Sequence, residues 1–538
     1  MTMRTRFYSM IFLLAGAAAL FTAAQDVPGL FVTFDRCLAC HNGLTTAGGE
    51  DFSFGIDWRS SMMANSARDP YWQAAVRREV ILRPEAAGVI ENECSACHMP
   101  MQRFTANAVG RKGEVFSHLP LNLAQSPLGL LTADGVSCSM CHQIQKDNFG
   151  KKESFTAGFA VDKTTPLPDR HIFGPFEVDK GHQSLMNSAS LFIPMESAHV
   201  QESELCATCH TLFTHALGDK GEVIGKFPEQ VPYLEWRHSS FRGAKSCQSC
   251  HMPVIEGEAA VSSVMGVKRE AVSRHVFRGG NFFMPRVFNR HRGELAVKAL
   301  PQELNATSSR TASHLQSSAA RIIFEAVAIR DGRLEAQVSI RNMAGHKLPS
   351  AYPSRRAWIH FQVTDGSGRI VFESGRPLSD GSIAGNDNDS DMEKFEPHYE
   401  RISSADEVQI YEPILGGPDG RVTTVLLTAS QYLKDNRILP DGFDKATADG
   451  DIAVRGGAAE DKDFVGGSDK ILYSVALDGA APRLNVKAAL WYQPIGFRWA
   501  RNLTQEQAEE TDRFNRYFNE MASVSALLIA ETERAVSR

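Results

Sequence analysis

The sequence predicts an α+β protein of several domains: a mostly helical and irregular N-terminal domain, then an antiparallel β-sandwich and a C-terminal helix. Three observations predict this class. All 10 cysteines belong to one short motif that is repeated in the first half of the chain. Alternating apolar and polar segments with Asp-Gly turns follow in the second half. An apolar stripe at helical spacing closes the chain.

The repeated motif is Cys-x-x-Cys-His, and it occurs at residues 37–41, 94–98, 138–142, 206–210 and 247–251. In this pattern the two thiols attach to the vinyl groups of a haem, and the histidine binds its iron. A zinc site, a thioredoxin-like redox pair or a disulfide would also use Cys-x-x-Cys, but none of them needs the following histidine. Histidine is only 17 of 538 residues, so five coincidences are not expected.

We therefore predict five covalently bound haem c groups. The predicted attachment residues are Cys37, Cys40, Cys94, Cys97, Cys138, Cys141, Cys206, Cys209, Cys247 and Cys250. The predicted proximal iron ligands are His41, His98, His142, His210 and His251. Residues 37–251 are too few to build a separate core around each porphyrin, so the haems are expected to form much of the core of a domain at residues 25–300. Within it, Asp69 before Pro70 predicts the start of a helix.

The first residues resemble an export signal. Arg4 and Arg6 precede an apolar run at residues 10–21, and small residues at 22–24 offer a cleavage site. An uncleaved anchor is the alternative, but the run is shorter than the ~20 residues that span a bilayer. We expect cleavage after residue 24, no membrane span afterwards, and a periplasmic or extracellular location, where haem attachment of this type takes place.

Composition limits the partners. A formal net charge of -6 and a pI near 6.3 give no basic excess with which to bind nucleic acid. We expect redox partner proteins instead, either other cytochromes or quinol-linked complexes. A homo-oligomer or an extracellular filament is a further hypothesis.

The second half begins with residues 301–318, whose Ser, Thr and Ala content predicts a linker. A β-sandwich is predicted at residues 319–500, from strands at 321–327, 334–340, 359–363, 370–372, 422–427, 470–477 and 484–492. Residues 501–538 are predicted to be helical. Their apolar stripe, expected to be a docking face, consists of Phe514, Phe518, Met521, Val524 and Leu528.

The possible functions differ in what occupies the second axial position of each iron. A six-coordinate haem carries electrons, whereas an open one also binds small molecules. His118, His199, His238 and His275 are candidate distal ligands, since they lie close to the motifs in sequence. His360 and His398 are expected to be ordinary histidines.

The first motif has no second histidine before Cys94, so Met63 is its local candidate, with packing against the porphyrin as the alternative. His346, near the end of a predicted strand, is the other candidate to cap a haem. We therefore expect the first site to be the one that is Met-ligated, capped by His346, or open.

The haem region resembles bacterial multihaem cytochromes of the cytochrome c-552/c-554 type, which are related to the haem cores of hydroxylamine oxidoreductase and pentahaem nitrite reductase. The resemblance rests on residues 204–210, on Tyr-Leu-Glu-Trp at 233–236, and on Cys-x-x-Cys-His-Met-Pro at His98 and His251. It covers residues 30–295. It implies stacked and perpendicular haem pairs with mostly bis-histidine ligation.

Catalytic members of that group depart from the repeat at one haem, with a lysine in place of the motif histidine or with a tyrosine cross-link. All five motifs are regular here. We therefore predict an electron carrier with no catalytic residue. The alternative is an oxidoreductase that acts on a small nitrogen or sulfur compound at one open haem.

Overall fold

The computed structural model describes residues 29–123, 125–218 and 220–537, and within them helices and sheets both occur. The predicted α+β class is confirmed. The predicted signal peptide, residues 1–24, lies outside the described residues. In the described part of the chain, none of the helices combines the length and the apolar character needed to cross a bilayer.

Residues 29–300 form short helices joined by loops. The helices are α1 Asp35–Leu38, α2 Phe54–Arg59, α3 Pro70–Leu82, α4 Ala87–His98, α5 Pro100–Ala108, α6 Pro127–Ala133, α7 Cys138–Cys141, α8 Lys180–Ser190, α9 Ser203–Ala207, α10 Pro232–Arg237, α11 Cys247–His251 and α12 Phe283–Arg290. Three two-stranded sheets lie among them: β1 Arg170–Gly174 with β2 Phe192–Glu196, β3 Leu212–Leu217 with β4 Val223–Gln230, and β5 Ala259–Ala260 with β6 Lys268–Arg269.

Helix α3 begins where the sequence predicts. The Asp69 carboxylate accepts hydrogen bonds from the backbone N–H groups of Tyr71 and Trp72, and Pro70 occupies the first helical position. This N-cap satisfies two of the donors that a helix start leaves free.

Residues 301–318 form helix α13 (Pro301–Ser318), so the predicted linker is wrong. The Ser and Thr residues of this segment have modest helix propensity. Tertiary packing overrides that propensity, because Leu304, Thr307, Thr311 and Leu315 form a buried stripe. At the helix start, the Glu303 carboxylate accepts a hydrogen bond from the N–H of Leu300.

Two sheets make up most of the second half. The strands that build them are β7 Ala320–Arg330, β8 Arg333–Asn342, β9 Arg356–Asp365, β10 Ile370–Ser374, β11 Arg401–Ile402, β12 Ile410–Tyr411, β16 Ser468–Ala476, β17 Arg483–Gln493 and β18 Leu527–Ser537. One sheet has the order β10-β9-β17-β18, with β12 also on β9, and the other has the order β11-β16-β8-β7. A small third sheet joins β13 Pro413–Gly416, β14 Val422–Thr423 and β15 Gln431–Asp435.

The two large sheets share a core. The Phe361 ring of β9 stacks on the Tyr473 ring of β16 with centroids 3.8 Å apart. Both predicted hairpins are present, as β7-β8 and β9-β10. Asp331 and Gly332 take positive φ values of 47° and 75° in the first turn, as an Asp-Gly hairpin requires. The predicted strand at 422–427 is cut short after Thr423.

The last predicted element is only partly helical. After α14 Asp387–Ser390 and α15 Phe497–Asn502, helix α16 covers Glu509–Met521, and the chain then continues as β18. Strand β18 pairs antiparallel with β17, so Leu528 belongs to a sheet. The free edge of β17 supplies the hydrogen-bond ladder, which no local spacing in the sequence reveals. The helix itself packs on the first half, with Phe514 against Tyr71 at 5.0 Å between ring centres.

Candidate haem-binding site

Each motif lies in a helical turn. The N–H of His41 donates to the carbonyl of Cys37 at 3.0 Å, and the N–H of His210 donates to Cys206 at 2.8 Å. Residues four apart in a helical turn share a face. The first thiol and the histidine of a motif are therefore presented on one side, as attachment and ligation of a single haem require.

Thiols of different motifs lie next to one another. The thiols of Cys37 and Cys138, of Cys97 and Cys209, and of Cys206 and Cys247 are close enough to shift each other's pKa values. These contacts join the first motif to the third, the second to the fourth, and the fourth to the fifth. All 10 cysteines are free of disulfide bonds. The five motifs thus face shared interior spaces, although they are far apart in sequence.

Four motif histidines are held by backbone carbonyls. The Nδ1 atoms of His41, His142 and His251 lie 2.6, 2.6 and 2.5 Å from the carbonyl oxygens of Val261, Phe173 and Arg278. His98 Nδ1 lies 3.1 Å from the carbonyl of Ser66. A proton on Nδ1 that is donated to a carbonyl leaves the lone pair on Nε2, which is the arrangement that metal-bound histidines use.

The motif imidazoles are neutral at pH 7. Burial lowers the pKa of His98 and of His251 to about 4, and it also lowers the pKa values of His41, His142 and His210. A neutral imidazole is the form that binds a metal. The surrounding protein therefore prepares these side chains as ligands.

Two motif histidines face a second imidazole. The ring centres of His142 and His275 are 6.2 Å apart, and those of His251 and His346 are 6.3 Å apart. With metal–nitrogen bonds of about 2.0 Å and about 1.2 Å from ring nitrogen to ring centre, two imidazoles on one metal have centres about 6.4 Å apart. The spacing fits axial ligation from both sides.

His346 lies beside the fifth motif and not the first, contrary to the sequence-based expectation. Its Nδ1 lies 2.9 Å from the carbonyl of Lys347, which leaves Nε2 available. The His41 ring instead packs against Phe54 at 5.9 Å, and the His275 ring also packs against Phe54, at 4.5 Å. Spacing in sequence could not assign His346, because the loop that carries it is positioned by contacts with distant elements.

The remaining distal candidates do not contact a motif imidazole in the described residues. His118 Nε2 lies 3.0 Å from the amide of Gln102, and the His238 ring packs against Phe443 at 5.8 Å. The Met63 carbonyl accepts a hydrogen bond from the N–H of Val136, just before the third motif.

His199 is close to the third motif, but both of its ring nitrogens have partners. Nε2 lies 2.7 Å from the carbonyl of Ile144, and Nδ1 lies 2.6 Å from the hydroxyl of Ser197. Ligation by His199 would have to break one of these two contacts.

A cavity of about 420 Å³ beside the fifth motif was not predicted. It is lined by Arg274, Arg278, Arg310 and His314, and the His314 ring is 6.3 Å from that of His251. Arg310 Nε and His314 Nδ1 are buried without a hydrogen-bond partner. Arg274 and Arg310 pair with Asp57, whereas no carboxylate of the described residues pairs with Arg278. An arginine without a counter-ion suits an anionic group such as a haem propionate. Arg310 and His314 were not predicted as site residues, because residues 301–318 were interpreted as a linker.

The fourth motif differs from the others in the surroundings of its histidine. In the described residues, His210 is the one motif histidine whose imidazole has neither a hydrogen bond nor a ring packed on it. Besides burial, the positive charge of Arg355 lowers the pKa of His210. Arg355 does not lie near a motif in sequence.

His398 lies in a buried polar cluster with Asp461 and Asp469. The amide nitrogens of Gln409 and Asn436 lie 3.0 and 3.2 Å from its Nδ1, so they donate to that atom. The ring proton is then on Nε2, which lies 2.9 Å from the Asp461 carboxylate. This tautomer donates to a carboxylate and has no lone pair for a metal.

Comparison with solved structures shows what this fold is similar to. The fold resembles that of a penta-heme cytochrome c552 from Thermochromatium tepidum. The two chains are 15% identical, with a TM-score of 0.51, and the match covers 95% of this chain and 100% of the other. No protein-family model and no curated protein matches the sequence. The likeness therefore extends to the sheet region as well as to the motif region.

Proposed function

We propose that the protein is an exported pentahaem c-type cytochrome that transfers electrons along a chain of covalently bound haems between redox partners. The observation that carries the proposal is the set of thiol contacts between motifs, Cys37 with Cys138, Cys97 with Cys209 and Cys206 with Cys247. Sites whose attachment residues touch are close enough for electrons to pass between them. Haem supplies a one-electron iron centre when it is bound.

The side chains of the motifs have separate roles in this proposal. The 10 thiols hold the five groups covalently, and the motif histidines provide neutral proximal ligands. Backbone carbonyls orient four of these histidines through Nδ1. His275 and His346 complete the third and fifth sites. The fold shared with a penta-heme cytochrome supports the count of five.

Export by residues 1–24 and a redox partner protein belong to the same proposal. The net charge of -6, to which haem propionates would add, favours a partner with a basic docking patch. Other cytochromes and quinol-linked complexes are such partners.

The test is to purify the exported protein, count its haems, and record low-temperature EPR spectra of the oxidised form. We expect five haems per chain, predominantly low-spin, and a redox titration that requires several midpoint potentials. A chain with fewer haems, or one without any redox-active iron, would contradict the proposal.

An oxidoreductase is the second candidate function, and it is favoured because only His142 and His251 among the motif histidines have a facing imidazole at the axial spacing in the described residues. The first motif, which the sequence predicts to be the open one, is among the other three. A high-spin EPR fraction that changes when nitrite, hydroxylamine or a sulfur oxyanion is added would support it. Five inert low-spin irons would leave only the carrier.

A further inference from the structure

The loop that carries His346 covers residues 343–355, between β8 and β9 of the sheet region. The His346 ring faces the His251 ring with centres 6.3 Å apart and planes 11° apart. A ligand pair works only if its spacing is held to within about 0.5 Å. The contacts that fix this loop therefore determine whether His346 can serve the fifth motif.

The sheet region holds the loop through Asn342, the last residue of β8. The Asn342 side chain is 4% exposed, and its amide nitrogen donates to the carbonyls of His346 and Ile438 at 2.8 and 2.9 Å. Its amide oxygen accepts from the N–H of Ala344 at 2.8 Å. Leu348 and Ile438 exchange two backbone hydrogen bonds of 2.9 Å. The backbone is thus fixed on both sides of His346.

The motif region holds the same loop through Glu235, on helix α10 between the fourth and fifth motifs. One carboxylate oxygen of Glu235 accepts from the Lys347 N–H at 3.1 Å and from the Ser350 hydroxyl at 2.6 Å. Arg437 pairs with the other oxygen at 2.9 Å, and the Glu235 side chain is fully buried. A single carboxylate of the motif region therefore binds the loop immediately after His346.

The charges around this contact balance. Lys347 Nζ donates to the Asp435 carboxylate at 2.6 Å, and Arg437 donates to both oxygens of Asp435 at 2.8 Å. With Glu235, the cluster has two cations and two anions, all at most 5% exposed. Buried charges are tolerated only when they are paired, and removal of one leaves another uncompensated. The loop position that pairs all four charges is also the one that brings His346 to His251.

The residue before His346 lies tightly against the motif region. A Cβ atom added to Gly345 would lie 3.3 Å from Trp236 Cδ1 and 3.3 Å from the Phe241 side chain. Trp236 is the neighbour of Glu235 in helix α10. Glycine is therefore required here by close packing, and a larger residue would have to displace the loop.

We propose that Glu235 and Asn342 are positioning residues that hold His346 at the axial distance from His251. Glu235 acts from the motif region and Asn342 from the sheet region, and both act on the loop, not on the iron. The proposal rests on the proposed attachment of a haem to the fifth motif. Because the two residues belong to different regions, ligation of this site depends on correct packing of the sheet region against the motif region.

The experiment measures how firmly His346 occupies its position, with carbon monoxide as the competing ligand. The haem-loaded protein is reduced with dithionite and titrated with carbon monoxide, and the oxidised form is examined by EPR. His346→Ala, which opens the site completely, identifies the carbon monoxide binding phase of the fifth haem. In the unmodified protein we expect that phase to be weak or absent.

Glu235→Ala is expected to raise the carbon monoxide affinity of this phase by about 10-fold or more, from loss of charge-assisted hydrogen bonds to the loop. Glu235→Gln keeps an acceptor oxygen, so a smaller increase is expected. Asn342→Ala is expected to give an increase of about 3-fold to 10-fold, from loss of neutral hydrogen bonds. Gly345→Ala is expected to act in the same direction.

Two matched controls alter buried side chains away from the loop. Glu412 is 6% exposed and pairs with Lys434 at 3.4 Å, and Asn388 is 4% exposed and donates to the carbonyl of Lys394 at 2.8 Å. Glu412→Gln and Asn388→Ala are expected to lower stability against urea but to leave the carbon monoxide affinity unchanged. This separates a positioning role from a general loss of stability.

Unchanged carbon monoxide affinity in Glu235→Ala and Asn342→Ala would overturn the proposal, and so would equal increases in the controls. If Glu235→Ala does not fold, Asn342→Ala and Gly345→Ala decide the question. If His346→Ala opens no site while five haems remain, His346 is not a ligand, which overturns the positioning role and leaves the electron carrier intact. Mass spectrometry of the peptide with residues 247–251 detects the other failure. A peptide without haem would refute the proposed function at the fifth motif, and the positioning role with it.

Discussion

The motif region and the sheet region bury their apolar side chains in different ways. The sheets share one large continuous core, which runs from Phe324 and Val338 through Phe361 to Tyr473 and Leu490. Outside the elements packed on that core, residues 29–300 bury apolar side chains in several small separate clusters. Four motif cysteines, Cys94, Cys97, Cys138 and Cys209, pack against these clusters. The sheet region therefore has one continuous core, whereas the motif region has small clusters next to its predicted haem-attachment residues.

The two regions also differ in how far apart in sequence their contacting residues lie. The β7-β8 hairpin is encoded by its own alternation and its Asp-Gly turn. The motif sites instead draw on remote segments, as with Val261 at His41 or His346 at His251. The following predictions test this contrast, from the largest expected effect to the smallest.

Replacement of all 10 motif cysteines by alanine is expected to abolish haem attachment and with it the folded state of most of residues 29–300. The sheets should persist, because their core contains none of these cysteines. Hydrogen exchange read by mass spectrometry is expected to show lost protection in the first half and retained protection in β7, β8, β16 and β17. Equal protection of both halves would show that the motif region folds without haem.

Lys347→Met is expected to destabilise the sheet region, because Lys347 and Asp435 form a buried ion pair within it. It leaves the Asp435 carboxylate with Arg437 alone, and removal of one member of a buried ion pair costs about 3–5 kcal/mol. The free energy of unfolding in urea measures the effect. Lys470→Met is the control, because its pair with Glu325 is about one-third exposed and is expected to contribute under about 1 kcal/mol. Similar losses in both variants would contradict a larger contribution of the buried pair.

His346→Ala is expected to change one haem of five. Loss of the imidazole that faces His251 should convert the fifth site from low-spin to high-spin iron, which EPR detects. His238→Ala is the control, because that ring packs on Phe443 and not on a motif histidine. If His314, also 6.3 Å from His251, were the actual ligand, the change would follow His314→Ala instead.

Asp69→Asn is expected to have a small effect that depends on pH. Burial raises the pKa of Asp69 to about 6, against hydrogen bonds from Trp72 and Tyr71. A carboxyl whose folded pKa is raised stabilises most below its unfolded pKa, near 4, and loses that contribution as pH rises through 6. Asn keeps the cap and removes this slope, whereas Ala costs about 1 kcal/mol at all pH values. Urea unfolding at pH 4.5 and pH 7 distinguishes them.

The sequence alone determined the features that short-range chemistry controls. Five complete motifs predict five haem sites, Asp69-Pro70 predicts the start of α3, and Asp331-Gly332 predicts the first hairpin. In each case the few residues that carry the signal also make the contacts. Such features can be predicted from the types of neighbouring residues and the spacing between them.

Tertiary structure alone decided the rest. Helix α13 forms because a buried stripe outweighs its weak propensity, and β18 forms because β17 offers a free edge. His346 is placed at the fifth motif by sheets and ion pairs far from the motifs in sequence. The second side of a metal site is supplied by whichever segment the fold brings there, and only packing over long separations determines that segment.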